Sequence, residues 1–102
     1  MIPRIEHAEA CGSHSLRLVF NDGTRKRVNV LSLLQGPIFE PLLDPKYFRR
    51  VLLDPVAGTV VWPNGADLAP EALFELAGEH DANWQKRPSR KALKRPAPKQ
   101  RR

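Results

Sequence analysis

The chain has 102 residues, 17 Lys/Arg against 11 Asp/Glu for a formal net charge of +6, and one cysteine. This length fits one small domain with an appendage, lone Cys11 excludes an intrachain disulfide, and no apolar run exceeds three residues where a bilayer span needs roughly 20. The start, Met1-Ile2-Pro3-Arg4-Ile5-Glu6-His7, lacks the apolar stretch of a secretory signal, so a soluble cytoplasmic protein is expected.

Residues 2–10 have mixed patterning compatible with an edge strand, with Pro3 tolerable near its start. Gly12-Ser13 interrupts it. Leu16, Leu18 or Val19, and Phe20 form the next strand, and Asn21-Asp22-Gly23 supplies hairpin chemistry, because Asp-Gly favours the positive φ such turns require. The return strand alternates: Thr24, Lys26, Val28 and Val30 fall on one face, Arg25, Arg27 and Asn29 on the other.

Leu31-Ser32-Leu33-Leu34 reads as a single helical turn. Gly36-Pro37-Ile38-Phe39-Glu40-Pro41 is expected to be irregular, because its prolines remove donors and fix φ. Asp44-Pro45 is an N-cap followed by proline at the first helical position, predicting a short helix that carries Tyr47 and Phe48. Residues 50–54 and 59–62 predict a second hairpin around Asp54-Pro55-Val56-Ala57-Gly58, and Trp62-Pro63-Asn64-Gly65 is expected to end the sheet. The clearest helix is 70–77, with Pro70 first, Glu71 at the positive end, Leu73, Leu76 and Ala77 on one stripe, and Gly78 as the stop.

Beyond residue 80 the composition changes. Residues 1–80 carry 8 Lys/Arg and 10 Asp/Glu, whereas 81–102 carry nine Lys/Arg and only Asp81, a net of +8. This stretch also holds Pro88, Pro96 and Pro98 and few apolar residues, so a disordered basic tail is expected after a domain at 1–80. The expected fold class is α+β: two hairpins forming a small antiparallel sheet, with two or three short helices.

The string Phe20-x-Asp22-Gly23, then Gly36-Pro37-Ile38-Phe39-Glu40-Pro41-Leu42, Asp44-Pro45-x-x-Phe48 and Trp62-Pro63-Asn64-Gly65-Ala66-Asp67-Leu68 resembles the bacterial domain of unknown function family 2442. The resemblance covers roughly residues 12–77, and the Trp-Pro-Asn-Gly-Ala-Asp-Leu string is its specific part. It implies a small α+β domain without an established activity. It also implies a regulatory or partner-binding role, since some relatives sit beside another small protein in an arrangement suggestive of toxin–antitoxin pairs. Family members tend to have Asp where this chain has Asn29. Some carry a C-terminal helix-turn-helix, for which the proline-broken tail here has no counterpart.

His7, Cys11 and His14 are spaced four and three apart, but zinc needs a fourth ligand, and only His80 remains. Exposed histidines beside a half-buried thiol are therefore expected, with no metal or cofactor. No third group is placed to orient a base for Cys11 as a nucleophile. Among the carboxylates, Glu40 has no assigned partner, Asp44 caps, Asp54 turns and Glu71 meets a helix dipole. Asp67 is expected to bond backbone N–H groups of its turn or of the first helical turn. Phe39 and Trp62 either fill the base of the sheet or, with Asn64 and Asp67, form a candidate protein interface.

These readings exclude no binding role but give no catalytic set, so a non-enzymatic protein-binding or regulatory module is expected, its partner another small protein. The alternative is non-specific RNA or DNA binding through Lys86, Arg87, Arg90, Lys91, Lys94, Arg95, Lys99, Arg101 and Arg102. Trp84 offers one ring to stack on a base, and Arg25-Lys26-Arg27 either discourages sheet-to-sheet aggregation or extends the tail's positive field.

Overall fold

Three strands pair in chain order: β1 (Ile5–Cys11), β2 (Ser15–Phe20) and β3 (Arg25–Asn29) form an antiparallel sheet in the computed structural model, which describes residues 2–80. A second, two-stranded sheet joins β4 (Leu52–Asp54) and β5 (Thr59–Val61). Two short helices, α1 (Pro45–Phe48) and α2 (Pro70–Glu75), and 3-10 turns at Leu31–Leu33 and Pro37–Leu43 complete the α+β architecture. The basic tail lies outside the described residues.

Alternation positions the core. Leu16, Leu18 and Phe20 of the central strand and Val28 of β3 are fully buried on one face; each large apolar side chain so buried contributes about 1.5–3 kcal/mol. The register slips between Ile5 and His7. That slip changes the parity of β1, so Ile5 and Ala8, three residues apart, both pack against the core. Leu42, Phe48, Val60, Trp62, Leu68 and Leu73 close the same core from the other elements.

Two turns share one architecture. Gly23 N–H donates to Phe20 O and Phe20 N–H to Thr24 O; equally, Gly65 N–H donates to Trp62 O and Trp62 N–H to Ala66 O. Each loop ends on a glycine at positive φ, 89° at Gly23 and 91° at Gly65. Each also has an Asx oxygen accepting the following N–H, Asp22 from Thr24 (2.9 Å) and Asn64 from Ala66 (3.1 Å). As expected, Trp62-Pro63-Asn64-Gly65 ends the sheet, whose last strand stops at Val61. The loop reverses the chain, and Asp67 bridges back to Val61.

Two expectations change. Pro37–Leu43 is helical of the 3-10 kind, because each proline opens a turn where no N–H is required; Phe39 N–H donates to Gly36 O and Asp44 N–H to Pro41 O. Asp44 caps α1 as expected, accepting the Lys46 N–H at 3.0 Å. α2 stops at Glu75, with Leu76 extended (ψ 143°), before Gly78 is reached. Lys26 Nζ bonds the Phe74 carbonyl (2.5 Å) at that end, and the chain then runs to β3, where Glu79 N–H donates to Arg27 O at 2.6 Å.

Candidate interaction surface

Trp62 is 2% exposed, and its Nε1–H donates to the Phe48 carbonyl at 2.9 Å. Of the two placements open in the sequence, the structure thus gives Trp62 the core. Phe39 is half-buried and packs against that core. Asn64, exposed above it, uses both ends of its amide: Oδ1 accepts from Ala66, and Nδ2 donates to the Ile38 carbonyl at 2.9 Å. Asp67 is exposed, and its carboxylate accepts no hydrogen bond from the described residues, in contrast to the expected turn or helix bond; its backbone makes the bridge.

The Asn64 bond fixes the start of the Pro37–Leu43 segment, and His14 fixes its end. His14 Nε2 lies 3.1 Å from Leu42 O and 2.9 Å from Leu43 O, so it carries the proton and donates to both, while the ring sits edge-on to Phe48 at 5.3 Å. Between these clamps Ile38 (49%) and Leu43 (46%) are exposed. Neither clamp is legible locally, since the partners lie 26 to 29 residues apart.

On the outward face of the three-stranded sheet, cross-strand rows run His7–Val19–Arg25 and Glu9–Arg17–Arg27. Glu9 meets His7 at 3.3 Å and Arg17 at 3.2 Å. The hydrogen bond from His7, then that from Arg17, hold its carboxyl below the usual range. Glu79 is the residue that sequence reasoning missed. Its Oε1 accepts from Ser15 Oγ (2.8 Å) and Arg27 Nε (3.1 Å). Asn29 accepts the Leu31 N–H through Oδ1 at 2.9 Å, a bond that an aspartate there would accept equally. His7 meets Glu9 and His14 the Leu42 carbonyl, and among the described residues no three His, Cys, Asp or Glu side chains are grouped to hold a metal. The tail residues Lys86 to Arg102 proposed for nucleic acid lie outside the described residues.

Two small antiparallel sheets, short proline-led helices and polar side chains engaged in tying loops together define a small α+β domain. A family model described as "Protein of unknown function (DUF2442)" matches residues 5–79, and the chain belongs to that family. The match runs from the first residue of β1 to Glu79, which bonds β3. No curated protein and no solved structure matches the chain. Among the described residues no helix is long and apolar enough to cross a membrane.

Proposed function

We propose that the domain is a non-catalytic module that binds another small cytoplasmic protein, in an antitoxin-like or other regulatory pairing. The contact surface is the Pro37–Leu43 segment with Phe39, Asn64 and Asp67 beside it, and Trp62 supports it from beneath. One observation carries the reading: Ile38 and Leu43 are exposed on a segment already clamped at both ends. Exposed apolar side chains on a pre-ordered backbone bind without a large ordering cost. The engagement of His14, Ser15 and Asn64 in the fold's own hydrogen bonds supports a scaffold role for them rather than chemistry.

The test uses the full chain as bait in nuclease-treated lysate, beside Ile38→Asp and Leu43→Asp variants whose melting temperatures match the parent. A protein retained by the parent and lost from both variants supports the reading. Equal retention by all three overturns it.

A second reading rests on the charge split. Nine Lys/Arg follow residue 80 against one Asp, and if most meet phosphates, log K falls with log salt at a slope of roughly −5 to −8. Binding of this kind positions the protein on nucleic acid without reading bases.

A further inference from the structure

Charge is spread unevenly over residues 1–80, and the clamped 3-10 segment lies where cations are absent. Residues 28–45 and 51–80 contain no Lys or Arg, yet they hold seven of the ten carboxylates. The cations fall at Arg4, on β2 and β3, and at Lys46, Arg49 and Arg50 in and after α1. The Asn64 Nδ2 bond to Ile38 O joins the two cation-free stretches, because it holds the 62–67 loop against the start of Pro37–Leu43. Glu40 and Asp67, one from each stretch, are exposed, and neither carboxylate is hydrogen-bonded or ion-paired among the described residues. Asp44, also exposed, closes the far end of the segment while its Oδ1 caps α1. Among these three stand Ile38 and Leu43, each nearly half exposed, with Pro37 and Pro41 exposed beside them. Lys46 is the nearest cation in sequence, so three carboxylates against one ammonium leave the surface acidic.

We propose that this surface receives a cationic segment of another protein, one in which Lys or Arg side chains flank aliphatic ones. The proposal rests on the partner-binding reading above and adds the chemistry of the partner. The aliphatic side chains cover Ile38 and Leu43, and the cations meet Glu40, Asp44 and Asp67 around them, an apolar centre with a charged rim. Like charge decides against the other occupants. Nucleic acid and anionic lipid bring phosphates to three carboxylates, and the repulsion opposes contact. A second copy seated through the same patch about a two-fold axis sets these carboxylates against their own counterparts. A neutral apolar partner gains nothing from the rim, whereas a cationic one gains attraction at encounter and again when bound. The chain as a whole carries +6, so a preference for cations here is a property of the patch and not of the net charge.

The experiment titrates the isotope-labelled full chain with three amphipathic peptides of about 15 residues, built from Leu and Lys, from Leu and Glu, and from Ser and Lys, and follows backbone amides by NMR. The Leu/Lys peptide is expected to shift the amides of residues 38–44 and 64–67 saturably, and the other two to leave them in place. Glu40→Gln and Asp67→Asn each weaken that binding about twofold to fivefold at low salt, as loss of an exposed ion pair does, and the difference shrinks as salt is added. Glu6→Gln, which removes an exposed carboxylate from β1, leaves it unchanged; thermal melts confirm that each variant is folded. Equal shifts by the Leu/Glu or the Ser/Lys peptide, or no loss in Glu40→Gln and Asp67→Asn, overturn the proposal and leave the partner-binding reading standing. Shifts of the same amides on concentrating the chain alone make the occupant a second copy and overturn it too. So does the absence of any shift; if Ile38→Asp and Leu43→Asp also retain lysate proteins as the parent does, the partner-binding reading falls with it.

Discussion

A single amide at Asn64 serves the turn through its oxygen and the neighbouring 3-10 segment through its nitrogen. The two functions separate by substitution. Asn64→Asp keeps the acceptor and loses the donor, so it is expected to cost about 1 kcal/mol and to speed hydrogen exchange at the Phe39 and Asp44 amides. Asn64→Ala loses both bonds and costs roughly 1–2 kcal/mol in urea unfolding. Unchanged exchange at Phe39 and Asp44 in Asn64→Asp would show that the Ile38 tie does not order the segment. Glu9 sets the acid-side behaviour at the same scale. Its carboxyl lies lower in the folded chain than in the unfolded one, held there first by His7 and then by Arg17. Its stabilisation is therefore full at neutral pH and is lost as pH falls from about 4.3 through the lower folded value. Glu9→Gln should flatten the fall of melting temperature across that window, and because the pair is exposed the effect is small.

At the scale of elements, the twin loops at Gly23 and Gly65 carry a sharper cost. An L side chain in the left-handed region is disfavoured by about 1–2 kcal/mol, so Gly65→Ala should lower unfolding free energy by that amount although the position is exposed with open space around it. A neutral substitution would mean that the loop takes another turn type. This is also where the sequence was most legible. Asp22-Gly23, Asp44-Pro45 and Asp54 through Gly58 announce their turns and caps because donor and acceptor lie within a few residues. Residues 36–41 misled because two prolines were counted as breakers when each opens a 3-10 turn. The end of α2 misled because a bond to β3, 52 residues away, outweighs the local preference of Gly78. The clamps on Ile38 and Leu43 had no local signal at all.

For the whole molecule, Arg4 connects what the strands leave separate. Its guanidinium donates to Pro55 O (2.9 Å) and Val56 O (3.1 Å), its N–H to Asn21 Oδ1 (3.1 Å), and Ile5 N–H reaches Gly58 O (2.8 Å). The start of β1 thus ties the β2–β3 turn to the β4–β5 turn. Arg4→Ala leaves both sheets intact but uncouples them, and is expected to cost about 1–2 kcal/mol. A domain of this size should melt roughly 4–8 °C lower per kcal/mol lost. A melt within a degree of the parent would place the coupling in the shared core instead.

Glu79 has a different consequence, for descent rather than for stability. By fastening itself to β3 with backbone and side chain alike, it acts as a firebreak between the domain and whatever sequence is joined after it. Replacement of the stretch that follows is therefore expected to leave the melting temperature of the core unchanged, so that the scaffold is inherited while what is joined to it diversifies. A swap of that stretch between relatives, joined after His80, should therefore transplant its properties without refolding the host.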